Sequence, residues 1–374
     1  MPTALLPPEL RALFDDAFVR SCALFEEYVF RCTLDVFREA GLAEALRAPA
    51  TAAEAIERAG LDPGVAPVPV DWILRALAGR GALAVVDAEE GRRFALEEPL
   101  PSLRKEPLLE EQSRLHAGSL PSYALARLAA EHYPAVLRGE TSGEHVLFAP
   151  DRIGAWFDYF AEGNTLYAVS NAIGALAVER ALPKGGGAVL ELGGGLGSGA
   201  AAVLDRLEAL GRSAELTTYR FTEIAPPFLR RAQRALAARF PDRPLAYGRL
   251  DMDQPFAPAG AAEGAHALVY GVNTLHVARD LAFTLGEIRR TLRPGGALVL
   301  SECVRPFPGI PIYVEFVFNL LAAFRANLGF LTPEQWTEAL RAAGFADVRL
   351  FPDLLALRED FPSLVVAAIV ATRA

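Results

Sequence analysis

An α/β architecture in the second half of the chain, preceded by a largely helical first half, is predicted by three observations. From Gly187 onward, short β-rich runs alternate with helical stretches. A glycine-rich turn separates the first of those runs from the first of those helices. Upstream, between Thr33 and Leu100, short helical patterns are followed by a single hairpin pattern. Alternating strands and helices imply right-handed crossovers, and those crossovers cover both faces of a parallel sheet.

The 374 residues suffice for about two domains, because single cores usually stop growing near ~250 residues. With 52% hydrophobic and 22% charged residues the composition is that of a folded chain. A net charge of −9 argues against nucleic acid as a partner, since phosphate backbones need clustered Lys and Arg. Cys22, Cys32 and Cys303 are scattered and lack the spacing of a zinc site or redox pair, so reduced thiols in a cytoplasm are expected. The start MPTALLPPEL has no basic region leading into an apolar core, and no secretory signal is expected. The most membrane-like run, PIYVEFVFNLLAAF, is interrupted by Glu315 and is shorter than the ~20 apolar residues of a span, so no membrane partner is expected.

In the first half, DVFREAGLAEAL, TAAEAIERAG and VDWILRALAGRGAL read as helices and AVVDAEEGRRFALEE as a hairpin, which is a winged-helix order. Thr51 followed by Glu54 forms a capping box, each side chain satisfying an orphan amide at a helix start. Gly79 and Gly81 end the third helix. That helix carries only Arg75 and Arg80 among apolar residues, too few for reading a DNA groove, and packing in a homodimer is expected instead. From Ser119 to Leu182 the pattern is helical, broken around GETSGEH and Ala149-Pro150. The predicted division is therefore a helical, winged-helix dimerisation domain over 1–118, a helical connector and lid over 119–183, and an α/β domain over 184–374.

The β-rich runs of the second half are AVLEL, LTTYRFTEI, PLAYGRLDM, HALVYGV and GALVLSE, with helices through AAAVLDRLEAL, PFLRRAQRALAARF and LAFTLGEIRRTL. Two last strands, near ADVRLF and SLVVAAIVATR, complete a seven-stranded, Rossmann-like sheet as an antiparallel pair.

The turn Glu191-Leu192-Gly193-Gly194-Gly195-Leu196-Gly197-Ser198-Gly199 lets a ligand approach the backbone closely. Gly195, Gly197 and Ala200 also satisfy the dinucleotide G-x-G-x-x-A pattern, so the glycines alone do not name the ligand. Charge separates the readings. Pyrophosphate wants amides and no acid beside it, whereas Glu191 offers a carboxylate that suits the sulfonium and ammonium of S-adenosylmethionine. Glu223, at the end of the next strand, stands where a carboxylate grips a ribose diol, a role shared with NAD sites. Asp251 and Met252 offer a polar group and an apolar side chain to flank an adenine. Glu223 and Asp251 also read as ordinary solvated loop acids.

The stretch from Val189 to Arg305, with VLELGGGLGSG, YRFTEIAPPFLRRA, LDMDQPF and VNTLHVARDLAFTLGEIRRTLRPGGALVLSE, resembles the class I methyltransferase domains of polyketide synthases and related free-standing small-molecule methyltransferases. VLRGETSGEHVLF and the region of Asn164, Tyr167 and Asn171 resemble the helical segment preceding such domains, while the winged-helix start is similar to the dimerisation domain of small-molecule O-methyltransferases. The resemblance implies S-adenosylmethionine as cofactor, held by Glu191, Gly193, Gly195, Gly197, Glu223, Asp251, Met252 and Asn273. It implies Tyr167 and Asn171 as acceptor contacts, and a small-molecule or carrier-bound acyl acceptor.

His276 follows the fourth strand and Glu302 ends the fifth, which puts both at the carboxyl edge of the sheet, where open α/β folds bind ligands. In the resembling C-methylating domains a His and a Glu at these motif positions act as base and orienting partner. The bland reading is a packing histidine and a strand-end acid. No metal-ligand spacing is present. The segment PFPGIPIYVEFVFNLLAAFRANLGF, with Tyr313, Phe316 and Phe318, reads as the wall of an apolar acceptor pocket and also as a core helix packed on the N-terminal half, two readings that do not exclude one another. C-methylation of a polyketide-like or acyl intermediate is the expected function. O-methylation, a non-catalytic cofactor sensor and an NAD-dependent dehydrogenase stand as alternatives.

Overall fold

The computed structural model describes residues 5–88, 91–326 and 329–374. The chain forms two compact units, one from Asp16–Tyr159 and Gly309–Gly329, the other from the residues up to Asp15, Phe160–Pro308 and Phe330–Ala374. Residues 119–159 group with the helices and hairpin, and 309–329 leave the α/β unit to join them.

The helical unit begins with α1 (Asp16–Glu39), longer than the run starting at Asp35 suggests because its apolar stripe starts earlier and buries Leu24, Phe25, Tyr28 and Val29. In α2 (Ala52–Ala59) the capping box is present: Thr51 N donates to Glu54 Oε2 at 2.8 Å and Glu54 N to Thr51 Oγ1 at 3.2 Å. Helix α3 (Pro67–Gly79) buries Trp72, Ile73, Leu74 and Leu77, then leads into β1 (Ala84–Ala88) and β2 (Gly91–Ala95), which pair antiparallel. Helices and hairpin thus follow in the expected order; residues 89–90 of the expected hairpin lie outside the described residues. Helices α4 (Glu106–His116) and α5 (Leu120–Leu137) follow, and Tyr123 of α5 packs edge-on to Phe25 and Tyr28 of α1 at ring centroid distances of 5.0 and 4.9 Å. Burial pushes the thiols of Cys22 and Cys32 up to about 12, leaving both protonated and chemically quiet.

The α/β unit opens its motif region with α6 (Thr165–Ala181), then β3 (Gly187–Leu192), α7 (Ser198–Ala209), β4 (Leu216–Thr222), α8 (Pro226–Arg239), β5 (Leu245–Gly248), β6 (His266–Val272), α9 (Leu281–Thr291) and β7 (Leu292–Cys303). Helix α10 (Pro333–Ala342), β8 (Phe345–Phe351) and β9 (Val366–Arg373) complete it. The strand order is β5-β4-β3-β6-β7-β9-β8, seven strands. The first five are parallel, and β9 inserts antiparallel to both β7 and β8, as expected of the last two runs. Every residue of β6 is buried, which is why HALVYGV reads as an unbroken apolar run rather than an alternating one.

The chain leaves β3 toward β4 and β5 on one side and returns with β6 on the other. That reversal opens a crevice at the carboxyl edge between β3 and β6. The glycine turn follows β3 and His276 follows β6, so the topology places both at that crevice. Among the described residues no helix is long and apolar enough to cross a membrane.

Candidate active site

The turn after β3 takes a left-handed backbone at Gly193 and Gly195, with φ of 58° and 57°. A Cβ on Gly193 would stand 2.1 Å from Thr274 Oγ1, whereas one on Gly195 would meet nothing within 4 Å. Gly193 is therefore required by packing between two loops, and Gly195 borders open space. The amide of Gly195 donates to Glu223 Oε2 at 2.9 Å, and the amide of Ala225 donates to Glu223 Oε1 at 2.8 Å. Glu223 is buried, so it is no ordinary solvated loop acid: it ties the glycine turn to the end of β4. Beside it, Asp251 Oδ1 accepts from Asp253 N at 3.0 Å in a local turn, with Asp251 and Met252 both half-buried.

Glu191 departs from its expected form. It lies 1% exposed inside the sheet, directly opposite Tyr270 of β6, and accepts from the Tyr219 hydroxyl at 3.0 Å. Burial, with a contribution from Glu223, pushes its carboxyl from the ordinary 4.5 up to about 8, against the opposing effect of the Tyr219 hydrogen bond. Burial thus favours its neutral form over the carboxylate. The argument that a carboxylate there repels pyrophosphate loses its force, and the choice of ligand has to rest on the rest of the site. Tyr219 and Tyr270 were missed from the sequence because no local spacing links residues on three separate strands.

His276 sits in a single 3₁₀ turn, Leu275–Val277, just after β6, and Glu302 lies near the end of β7. Nδ1 of His276 and Oε2 of Glu302 are 2.7 Å apart, and the two side chains are 3% and 0% exposed. The second carboxylate oxygen, Oε1, accepts from the amides of Thr274 at 3.0 Å and Leu275 at 2.9 Å. Glu302 therefore holds the loop that carries His276 as well as the ring. The ring of His276 packs on Phe330, with centroids 4.6 Å apart.

Asn273, one residue past β6, adopts φ of 46°, accepts from Cys303 N through Oδ1 at 2.8 Å and hydrogen-bonds the Tyr167 hydroxyl. It links the ends of β6 and β7 and reaches α6. Tyr167 and Asn171 are four residues apart on one face of α6, and both are buried. Burial raises the phenol of Tyr167, with Cys303 and Glu302 adding to the shift. The Oδ1 and Nδ2 of Asn171 have no hydrogen-bond partner. A buried amide with both ends unsatisfied costs stability and calls for a polar ligand.

Tyr313 and Phe316 belong to the helical unit. Phe316 is 0% exposed in the helical unit, stacked on Tyr133 at 4.9 Å and tilted against Trp72 at 5.9 Å. Between them the buried Glu315 accepts from Trp72 Nε1 at 2.9 Å and from Ile312 N at 3.0 Å. Phe316 thus packs as a core residue of the helical unit. Phe318 packs on Trp156 at 5.9 Å, and Tyr313 is edge-on to Phe25 at 5.5 Å. Residues 327–328 of that segment lie outside the described residues. Of the other histidines, His266 is buried with its pKa lowered by burial. Among the described residues no three His, Cys, Asp or Glu side chains converge as metal ligands would.

The residues of the crevice fit S-adenosylmethionine: a glycine turn with open space at Gly195 and an acid across it at Glu223. The whole chain superposes on the CurJ carbon methyltransferase with a TM-score of 0.76 and 22% identity, covering 100% of this chain and 98% of that one. The chain has the fold of a carbon-methyltransferase domain. The CMeT domain of the citrinin polyketide synthase gives a TM-score of 0.71 and 19% identity over 99% and 98% of the two chains. No family model matches. Among curated relatives, the non-reducing polyketide synthase dpmpA of Macrophomina phaseolina (strain MS6) is 29% identical over 274 residues, 67% of this chain. The chain spans only 12% of the length of that synthase.

Proposed function

We propose that the chain is an S-adenosylmethionine-dependent methyltransferase acting on a carbon beside a carbonyl in a small or carrier-bound acyl acceptor. The observation that carries this reading is the buried His276–Glu302 pair at the carboxyl edge, with both carboxylate oxygens committed to holding the ring and its loop. The carbon methyltransferases and polyketide synthases named above support carbon as the target.

S-adenosylmethionine, when bound, supplies an electrophilic methyl group. Gly195 would leave room for its chain, Gly193 and Gly197 let the turn close against Thr274 and Leu236, and Glu223 would grip its ribose, with Asp251, Met252 and Asn273 flanking it. Glu302 accepts the proton of His276 Nδ1, which makes Nε2 the basic nitrogen. Nε2 then removes the proton from the acceptor carbon as that carbon becomes nucleophilic, and the carboxylate stabilises the imidazolium that results. Tyr167 and Asn171 would direct hydrogen bonds at the acceptor's carbonyl oxygen, where negative charge gathers on deprotonation.

The decisive experiment is turnover by His276→Ala with an acyl thioester acceptor and labelled cofactor. The reading expects label on carbon for the wild type and a loss of roughly a hundredfold or more for the variant. Label on oxygen would overturn the carbon target, and no label on any acceptor with cofactor binding intact would favour a sensor. The winged-helix-like half is proposed to serve self-association. Sedimentation would give a dimer on that reading, and a monomer would contradict it.

A further inference from the structure

The helical unit contains a cavity of about 450 Å³ that the methyl-transfer reading does not use. Three elements build it by their regular spacing. Helix α1 contributes Glu26, Val29, Phe30 and Thr33, one face at intervals of three and four. Helix α3 contributes Trp72, Arg75, Ala76 and Gly79 on the same principle, with Arg80 just past its end, and β2 contributes Arg92 and Phe94, alternate residues that share a face. Gly309, Ile310, Pro311 and Tyr313 line the remainder.

Two properties define what this cavity suits. Its walls are aromatic and aliphatic, and Ile310 and Val85, which also line it, are 54% and 44% exposed, large apolar side chains left facing water. Its second property is a set of guanidinium groups held by acids: Arg75, Arg80 and Arg92 line it with Glu26, Asp71 pairs with Arg75, and Glu26 and Glu27 pair with Arg80. The guanidinium of Arg80 lies 4.4 Å over the ring of Phe30 and is held by Glu27 at 2.5 Å, so it is positioned before any ligand arrives. Arg75 donates through Nη1 to Gly309 O at 2.6 Å and through Nη2 to Asp71, while its Nε has no acceptor. A guanidinium has five N–H donors, and one already fixed in place loses little freedom in binding an anion.

We propose that this cavity is a ligand site for an amphipathic anion, an apolar chain ending in a carboxylate or a phosphate, with the chain against Trp72, Phe94 and Tyr313 and the anion at Arg75 and Arg80. The proposal stands apart from the methyl-transfer reading, since none of these residues belongs to the crevice at the sheet edge.

Calorimetric titration with octanoate and with octyl phosphate tests it, and the tighter of the two identifies the head group. Octanol, with the same chain and no charge, should bind at least about tenfold more weakly. Ala76→Trp, which fills the cavity and keeps the arginines, should abolish binding, and Arg75→Ala should weaken it at least about tenfold. Thermal melts of each variant, followed by circular dichroism, report folding independently, so a misfolded Arg75→Ala leaves the Ala76→Trp result to decide. Saturable binding lost in Ala76→Trp supports the site. Absence of saturable binding for both probes, equal affinity for octanol, or binding unaffected by Ala76→Trp would each overturn it.

Discussion

The hydroxyl of Tyr219 donates to Oε2 of Glu191 at 3.0 Å, inside the sheet and beneath the glycine turn. Despite that bond, desolvation dominates and raises Glu191 to about 8, so the folded chain holds a proton there that the unfolded chain has lost above its ordinary 4.5. Between those values the native state binds more protons than the unfolded one, and stability falls as pH rises. Denaturant titrations from pH 5 to pH 8 should show that decline, and Glu191→Gln should flatten it. A Gln variant with the same slope as wild type would remove Glu191 as the cause.

A cation in the crevice favours the ionised form of Glu191, so cofactor uptake below about pH 8 should release a proton. Affinity for S-adenosylmethionine should then rise with pH up to that value and level off above it. Binding enthalpies measured at pH 7 in buffers of different ionisation enthalpy check this directly. Identical enthalpies in all buffers would mean that Glu191 does not change state.

At Gly195, φ of 57° and open space on the Cβ side together predict that Gly195→Val loses cofactor binding. The left-handed backbone costs a β-branched residue of order 1–3 kcal/mol, and its side chain fills the space where a ligand would approach. Calorimetry on folded protein should show at least about a thirtyfold loss of affinity. Unchanged affinity would place the cofactor elsewhere.

Asn171 has both side-chain polar atoms buried without a partner, an expense of about 1–3 kcal/mol in the absence of a ligand. Asn171→Leu should therefore melt no lower than wild type and yet turn over at least about tenfold more slowly. A variant that is less stable and fully active would make Asn171 a structural residue.

Thr51→Ala removes the capping interaction at α2, whose two reciprocal bonds measure 2.8 and 3.2 Å. A loss of about 1 kcal/mol in unfolding free energy is expected, read from the denaturation midpoint, with cofactor binding unchanged.

Much of this was legible beforehand for identifiable reasons. The change of period at Gly187 exposes the crossovers of a parallel sheet, and the glycines after AVLEL mark the first of them. His276 and Glu302 read as partners because strand ends locate them at one edge, but their 26 intervening residues carry no information about Oε1. That oxygen's two amide bonds decide what a glutamine at 302 would do. With its oxygen held by Thr274 and Leu275, its amide would donate to Nδ1 and put the imidazole proton on Nε2, the wrong tautomer for a base. The fate of Phe316 was ambiguous because an aromatic run at helical spacing serves a pocket or a core equally well. The burial of Glu191 was not legible because packing between strands distant in sequence cannot be read from the residue's neighbours.

The most direct test of the central claim is single-turnover methyl transfer by wild type, His276→Ala and Glu302→Gln, each with cofactor affinity measured on the same preparation. The account predicts near-equal affinities, a loss of roughly a hundredfold or more for His276→Ala, and a comparable loss for Glu302→Gln. Wild-type rates in His276→Ala would contradict it.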